Sequence, residues 1–291
     1  MFIMLKDIFI GILIGLLVLS GILVWRNTSW EISVNSSPLK KSSWSIFDKK
    51  QTKLDAKKKT KVDSIYTPIL MYHYIRENPD PNDTLGYSLS ITPANFSAQL
   101  DWLIENGYQT ITLDELVAGL KGGYLSANKP VVLTFDDGYV DFYTAAFPEL
   151  KKRNMKATVY MISGKIDDTE GRFLTSQQIK ELSQSGLITI GSHSVSHINF
   201  ANVSIANATK EAYQSKKKLE QIIGKKVINF CYPSGQFNDA AIKVLRSVGY
   251  SSGVTTAEGA IHSSESLLYL SRVRISGSTT IEKFREKITQ Y

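Results

Sequence analysis

Apolar and polar positions divide the chain into three stretches. Ile8 to Trp25 (IFIGILIGLLVLSGILVW) is an 18-residue run without a charge. With the apolar residues ahead of Lys6 it is long enough to cross a bilayer core. A buried core helix would show a polar stripe over that length. A secretory leader would be followed by a small-x-small cleavage site, and WRNTSW follows instead. The pattern predicts an uncleaved membrane anchor over residues 1–26. Lys6 before the run and Arg26 after it specify orientation only weakly. A short inner segment with the large domain outside is the economical topology. Residues 27–65 have no sustained period and are rich in Ser, Lys, Asn and Thr, which predicts a flexible linker.

From Tyr66 onward, short β-rich apolar runs alternate with helical periodicity. The runs are 69–75 (ILMYHYI), 130–135 (PVVLTF), 156–162 (KATVYMI), 187–190 (LITI), 227–231 (VINFC), 250–254 (YSSGV) and 272–275 (RVRI). The segment 93–106 reads as a helix. Thr92 is its N-cap, Pro93 its first residue, and Phe96, Leu100, Leu103 and Ile104 share one face. Thr112 with Glu115, and Thr175 with Gln178, have the spacing of capping boxes. Strands alternating with helices predict a parallel α/β domain over 66–291, barrel-like or open. There is no internal repeat.

Composition narrows the chemistry. A single cysteine, Cys231, makes neither an internal disulfide nor a thiolate metal cage, so any metal must rest on His and carboxylates. The net charge of +7 suggests a nucleic-acid partner until it is located. Residues 27–65 hold nine lysines against four acids, whereas 66–291 hold 23 basic and 22 acidic residues. Nucleic-acid binding needs a basic face on the folded domain, and none is implied. The lysines fit a solvated tether near anionic wall polymer or lipid headgroups.

Four segments carry candidate chemistry. VVLTF runs directly into Asp136-Asp137-Gly138, at a strand end where α/β folds place active groups. Adjacent carboxylates repel unless a cation is near, and Asp-Gly is also a common turn. His193-Ser194-Val195-Ser196-His197 follows LITIGS, and its two histidines would converge if the segment turned helically. One Asp with two His makes an open three-ligand metal site, and the second Asp would be free to accept a proton from water. His73 ends ILMYH and is either a general acid or a core histidine. Tyr232-Pro233-Ser234-Gly235 shapes a loop after VINFC. His262 has no evident partner in the sequence.

These motifs, in this order, resemble the polysaccharide deacetylase family, the NodB-like domain of carbohydrate esterase family four. The resemblance covers roughly residues 66–291 and implies a distorted (β/α) barrel as the single catalytic domain, behind an N-terminal transmembrane helix. TFDDG (134–138) resembles the first motif, which makes Asp136 the catalytic base and Asp137 a metal ligand. HSVSH (193–197) resembles the second, which makes His193 and His197 ligands. The segment 88–117 resembles the usual lead-in to the first motif. CYPSG departs from the third motif, because Cys231 stands where an Arg usually pairs with the base. Arg272 or Arg274 is expected to supply that charge, with Arg272 preferred. The usual C-terminal L-x-H is absent, and LMYH at 70–73 has its form. This resembles the circularly permuted deacetylases of poly-N-acetylglucosamine and related glycans, and it implies that His73 is the general acid. Tyr139, through its backbone N–H, and Tyr232, Pro233, Ser234 and Gly235 are the expected substrate contacts.

The expected function is metal-dependent removal of N-acetyl groups from N-acetylglucosamine in a cell-wall or surface polysaccharide, at the outer face of the cell membrane. Peptidoglycan, a wall-attached polysaccharide and an exopolysaccharide all remain candidate substrates. Zinc is the expected metal, with cobalt or nickel suited to the same ligands. Three alternatives stand beside this: an O-acetyl esterase on wall sugars, a catalytically impaired glycan-binding member, and a non-enzymatic wall-anchoring protein. A zinc protease is disfavoured, since no Glu lies within the H-x-x-x-H.

Overall fold

A computed structural model describes residues 64–290 apart from Pro81 and Gly123. The expected anchor and most of the expected linker lie outside the described residues. Among the described residues, no helix is long and apolar enough to cross a membrane.

The main elements, in chain order, are β1 (Ile69–Tyr72), α1 (Pro93–Glu105), α2 (Leu113–Gly122), β2 (Pro130–Phe135) and β3 (Ala157–Met161). There follow α3 (Ser176–Gln184), β4 (Ile188–Ser192), α4 (Ile205–Ile223) and β5 (Asn229–Cys231). The last are α5 (Asp239–Val248), β6 (Ser252–Glu258), β7 (Leu270–Arg274) and α6 (Ile281–Thr289). Thr92 caps α1 as expected, its hydroxyl accepting from the Asn95 N–H. Thr175 and Gln178 form a complete capping box at α3.

Each strand from β1 to β7 pairs in parallel with its successor, and β7 pairs back onto β1. The sheet therefore closes into a barrel. A short strand, Gln109–Thr110, lies beside the start of β2.

Strand parity sorts the core. Leu70 and Tyr72 on β1, Val131, Leu133 and Phe135 on β2, and Val159 and Met161 on β3 belong to the large cluster that includes Phe96, Leu100 and Leu103 of α1. The alternate positions Ile69, Val132, Tyr160, Cys231, Val254 and Leu270 form a second cluster with Leu113, Leu116 and Leu120 of α2. These residues face the barrel interior, since successive strand side chains point to opposite faces. Both faces are buried, so the strands read as continuous apolar runs. The same parity turns Asp136, His193 and Arg272 inward.

His262, unpartnered in the sequence reading, is buried and donates from Nε2 to the Thr67 carbonyl at 3.0 Å. It thereby ties the short pair Ile65–Tyr66 and Ile261–His262 to the entrance of β1. Burial pushes its pKa down to about 4. The unfolded chain takes up this proton near pH 6.5 and the folded one does not. Stability is therefore full above pH 6.5 and declines as pH falls toward 4. Between pH 7.5 and 4.5 this histidine is expected to cost about 2 to 3 kcal/mol. Urea unfolding at both pH values should show the protein losing that much more than its His262→Gln variant. Equal losses would remove His262 from the acid response.

Candidate active site

The candidate residues meet at the C-terminal ends of the strands. His73 directly follows β1, Asp136 and Asp137 follow β2, His193 follows β4, Cys231 ends β5 and Arg272 lies in β7. Strand β2 continues through a bond from the Asp136 N–H to the Tyr72 carbonyl at 3.0 Å. The chain then turns sharply, with Asp137 at φ 72° and Gly138 at φ 77°. The left-handed backbone favours glycine there, and a Cβ on Gly138 would lie 2.4 Å from the Met161 Cε, so the end of that side chain would have to move. The turn sends the two neighbouring carboxylates to different partners.

Asp136 goes to Arg272, which donates to both carboxylate oxygens at 2.7 Å. Arg272 is wholly buried. Its other N–H groups reach the Thr255 carbonyl at 2.7 Å, the Thr134 hydroxyl at 3.1 Å and the Cys231 sulfur at 3.3 Å. A guanidinium has five N–H donors, and here each has an acceptor. Thr255 sits where the β6–β7 register shifts between Val254 and Glu258. Burial would raise the Asp136 carboxyl, but Arg272 overrides it and holds the group well below the usual carboxylate range. The charge expected from Arg272 is thus in place beside Asp136. Cys231, in the position of the family's Arg, packs against the same pair, 3.5 Å from Asp136.

Asp137 faces the histidines. Its Oδ1 lies 3.4 Å from His193 Nε2 and 3.7 Å from His197 Nε2. The corners of a tetrahedral zinc site lie about 3.3 Å apart, given Zn–N and Zn–O bonds near 2.0–2.1 Å. His193 Nδ1–H donates to the Cys231 carbonyl at 2.7 Å, which fixes the tautomer and leaves the Nε2 lone pair available to a metal. The His197 side chain is 36% exposed, so the set is open to solvent on one side. These donors suit a divalent metal with open coordination positions. The neighbouring cluster of Asp136, His193 and Cys231 suits one less well. Both oxygens of Asp136 already serve Arg272, and burial raises the Cys231 thiol so that it keeps its proton.

The convergence of the histidines is not helical. Residues 193–197 form a loop in which Ser194 (φ 64°) and His197 (φ 59°) are left-handed. Two reversals of the backbone do what a helical turn was expected to do.

His73 Nε2 lies 3.9 Å from Asp136 Oδ2, with 12% of its side chain exposed. Burial lowers its pKa against the pull of the two carboxylates. The Tyr139 ring stacks on Tyr74 at 3.7 Å and on Phe173 at 5.1 Å. The bonds Val140 N–H to Arg172 O and Leu174 N–H to Gly138 O flank Tyr139, whose own N–H joins neither.

The CYPSG loop needs a correction. The Tyr232 ring is wholly buried among Phe200, Phe230 and Phe237, and Pro233 is buried too. Strand parity puts Tyr232 on the outer face of β5, opposite to Cys231, so its side chain is core and cannot contact substrate. Ser234 is exposed and Gly235 partly so. A Cβ on Gly235 would meet the Thr256 nitrogen at 2.5 Å. Among the supporting groups that escaped the sequence reading are the Cys231 carbonyl, the Thr255 carbonyl and Tyr74. Two are backbone atoms and carry no residue-type signal. Tyr74 differed in no visible way from its neighbours in ILMYHYI.

A family model for polysaccharide deacetylase matches residues 126–253, taking in both motifs but neither His73 nor Arg272. The Bacillus subtilis (strain 168) protein YxkH, whose name places it among polysaccharide deacetylases, is 37% identical over 209 residues, covering 72% of this chain and 71% of that protein. The Escherichia coli (strain K12) poly-beta-1,6-N-acetyl-D-glucosamine N-deacetylase is 28% identical, over 69% of this chain and 36% of its own length. This chain thus spans little more than a third of that relative. Among solved structures, the Streptococcus pyogenes deacetylase PplD in complex with acetate matches with a TM-score of 0.72 at 35% identity, covering 77% of this chain and 98% of that one.

Proposed function

The chain belongs to the polysaccharide deacetylase family, and on that premise we propose that it is a metal-dependent hydrolase removing N-acetyl groups from N-acetylglucosamine in a bacterial surface polysaccharide. The observation that carries this is the division of labour between adjacent carboxylates. Asp136 is held ionised by Arg272, while Asp137 stands within 3.7 Å of two imidazole nitrogens.

Asp137, His193 and His197 would hold the metal, zinc by default and cobalt or nickel by the same donors. Bound there, it supplies a Lewis acid for the acetamide carbonyl and a water of lowered pKa. Asp136 takes a proton from the attacking water, and Arg272 keeps it in the unprotonated form that this requires. The Tyr139 backbone N–H donates to the carbonyl oxygen as charge develops. His73 gives a proton to the nitrogen as the C–N bond breaks. Acetate leaves, and the sugar keeps an amine. Ser234 and Gly235 are left from the CYPSG loop as candidate sugar contacts.

Three features support an outer-surface glycan as the substrate: the apolar run at 8–25, the lysine-rich stretch after it, and the activity for which the E. coli relative is named. On this reading residues 1–26 anchor the chain, 27–65 space it from the membrane, and 66–291 are catalytic outside the cell. His73 at the head of the domain, directly after the strand β1 that lies between β2 and β7, suits the permuted motif order. The bidentate Arg272–Asp136 pair weighs against the impaired-member reading, because it puts a guanidinium where the missing Arg would act.

The test is acetate release from N-acetylglucosamine-containing wall polymer and from poly-β-1,6-N-acetylglucosamine. Release should depend on zinc, stop with chelator, and fall about 10²- to 10⁴-fold in Asp136→Asn. Release from O-acetylated xylan alone would replace the amidase reading with an esterase.

A further inference from the structure

We infer that Glu211, on α4, is a positioning residue for the metal site: it holds the loop between the two histidine ligands in its binding shape. This rests on the metal reading above. Three residues separate His193 from His197. The Val195 and Ser196 N–H groups both donate to Glu211 Oε2 at 2.9 Å, and the Ser196 hydroxyl donates to Oε1 at 2.6 Å. A carboxylate accepting two N–H bonds makes charge-assisted bonds, roughly twice as strong as neutral ones.

The loop needs such an anchor because its shape is costly. Ser194 and His197 are both left-handed non-glycine residues, a conformation that persists only where surroundings enforce it. The opposite side of the loop is held by backbone alone. The Ser163 N–H donates to the Ser194 carbonyl at 3.0 Å and the Gly164 N–H to the Val195 carbonyl at 2.8 Å. One helical turn beyond Glu211, Ser215 meets the Ser192 hydroxyl at 2.8 Å, at the root of the loop. Glu211 and Ser215 thus form one stripe of α4 facing the loop. His197 is the ligand most dependent on this stripe. It is half-exposed, and its own N–H is tied only to the Ser194 hydroxyl at 2.9 Å.

Zinc affinity of the full-length protein, measured by chelator competition and referred to the folded fraction, tests this. Glu211→Ala should weaken zinc binding about 10- to 100-fold, the range for groups that orient metal ligands. Glu211→Gln should fall between Glu211→Ala and the parent, because a neutral amide oxygen still accepts, but more weakly. Ser204→Ala removes the N-cap of the same helix and should lower thermal stability while leaving zinc affinity at the parent level. If Glu211→Ala loses thermal stability but binds zinc like the parent, Glu211 is only a structural prop and the inference is overturned. If the parent binds no zinc, or binds it equally well as His193→Ala, the metal reading itself has failed and the role of Glu211 goes with it.

Discussion

Replacing Arg272 by Met is expected to destabilise the domain by about 3 to 5 kcal/mol, one of the largest effects of any single change in this molecule. The reason is what remains behind. Asp136 is 3% exposed and would keep a charge with no guanidinium to meet it. The Thr134 hydroxyl, the Thr255 carbonyl and the Cys231 sulfur would lose a donor at the same time. Methionine roughly fills the volume, so the loss is electrostatic more than steric. Turnover should fall with it, since protonating Asp136 to relieve the buried charge removes the base. A double variant separates the causes. Adding Asp136→Asn to Arg272→Met removes the stranded charge and should recover a large part of the stability but none of the activity. The measurement is urea unfolding of the parent, both single variants and the double. Additive losses would mean that the pair is not coupled, and would sink the argument.

Replacing His73 by Ala is expected to cut deacetylation about 10²- to 10⁴-fold, the usual worth of one positioned proton donor. Zinc binding should be unaffected, because His73 stands on the Asp136 side and the proposed ligands are Asp137, His193 and His197. The variant should still fold, with a modest loss of stability from the vacated ring volume, since His73 Nδ1 is buried without a hydrogen-bond partner among the described residues. The role of acid makes a sharper demand. An amine cannot leave without a proton, but a 4-nitrophenolate can. His73→Ala should therefore retain far more activity on 4-nitrophenyl acetate than on the acetamide, whereas Asp136→Asn should lose both. Equal losses of His73→Ala on both substrates would assign His73 to binding or positioning in place of proton donation.

Much of the site was legible in the chain because its groups lie next to strand ends, and strand ends are local features. TFDDG and HSVSH are contiguous segments, and each places its functional side chains immediately after an apolar run. Arg272 was harder, because the usual Arg position holds Cys231. It could be chosen over Arg274 only as an expectation. Parity explains the outcome. Arg272 lies two residues after the inward-facing Leu270, and the register shift in β6 beside it presents the Thr255 carbonyl to its Nε. Tyr232 was misread for the converse reason. It neighbours Cys231, so it must point the other way, into the helix-covered face of β5.

The chain by itself determined the alternation of strands and helices, the capped helix starts and the segments that bring together the proposed ligands and the proposed base, because each depends on residues close in sequence. It also confined the excess positive charge to residues 27–65. Only the tertiary structure decided which way each strand faces and that the sheet closes β7 onto β1. Closure brings Arg272 to Asp136, 136 residues away along the chain. The same is true of the loop that carries the histidines. Its left-handed turns are no property of Ser194 or His197, but of the carboxylate and backbone groups that neighbouring elements press against them. Long-range pairing in a closed barrel is set by register and burial together, and neither is a local quantity.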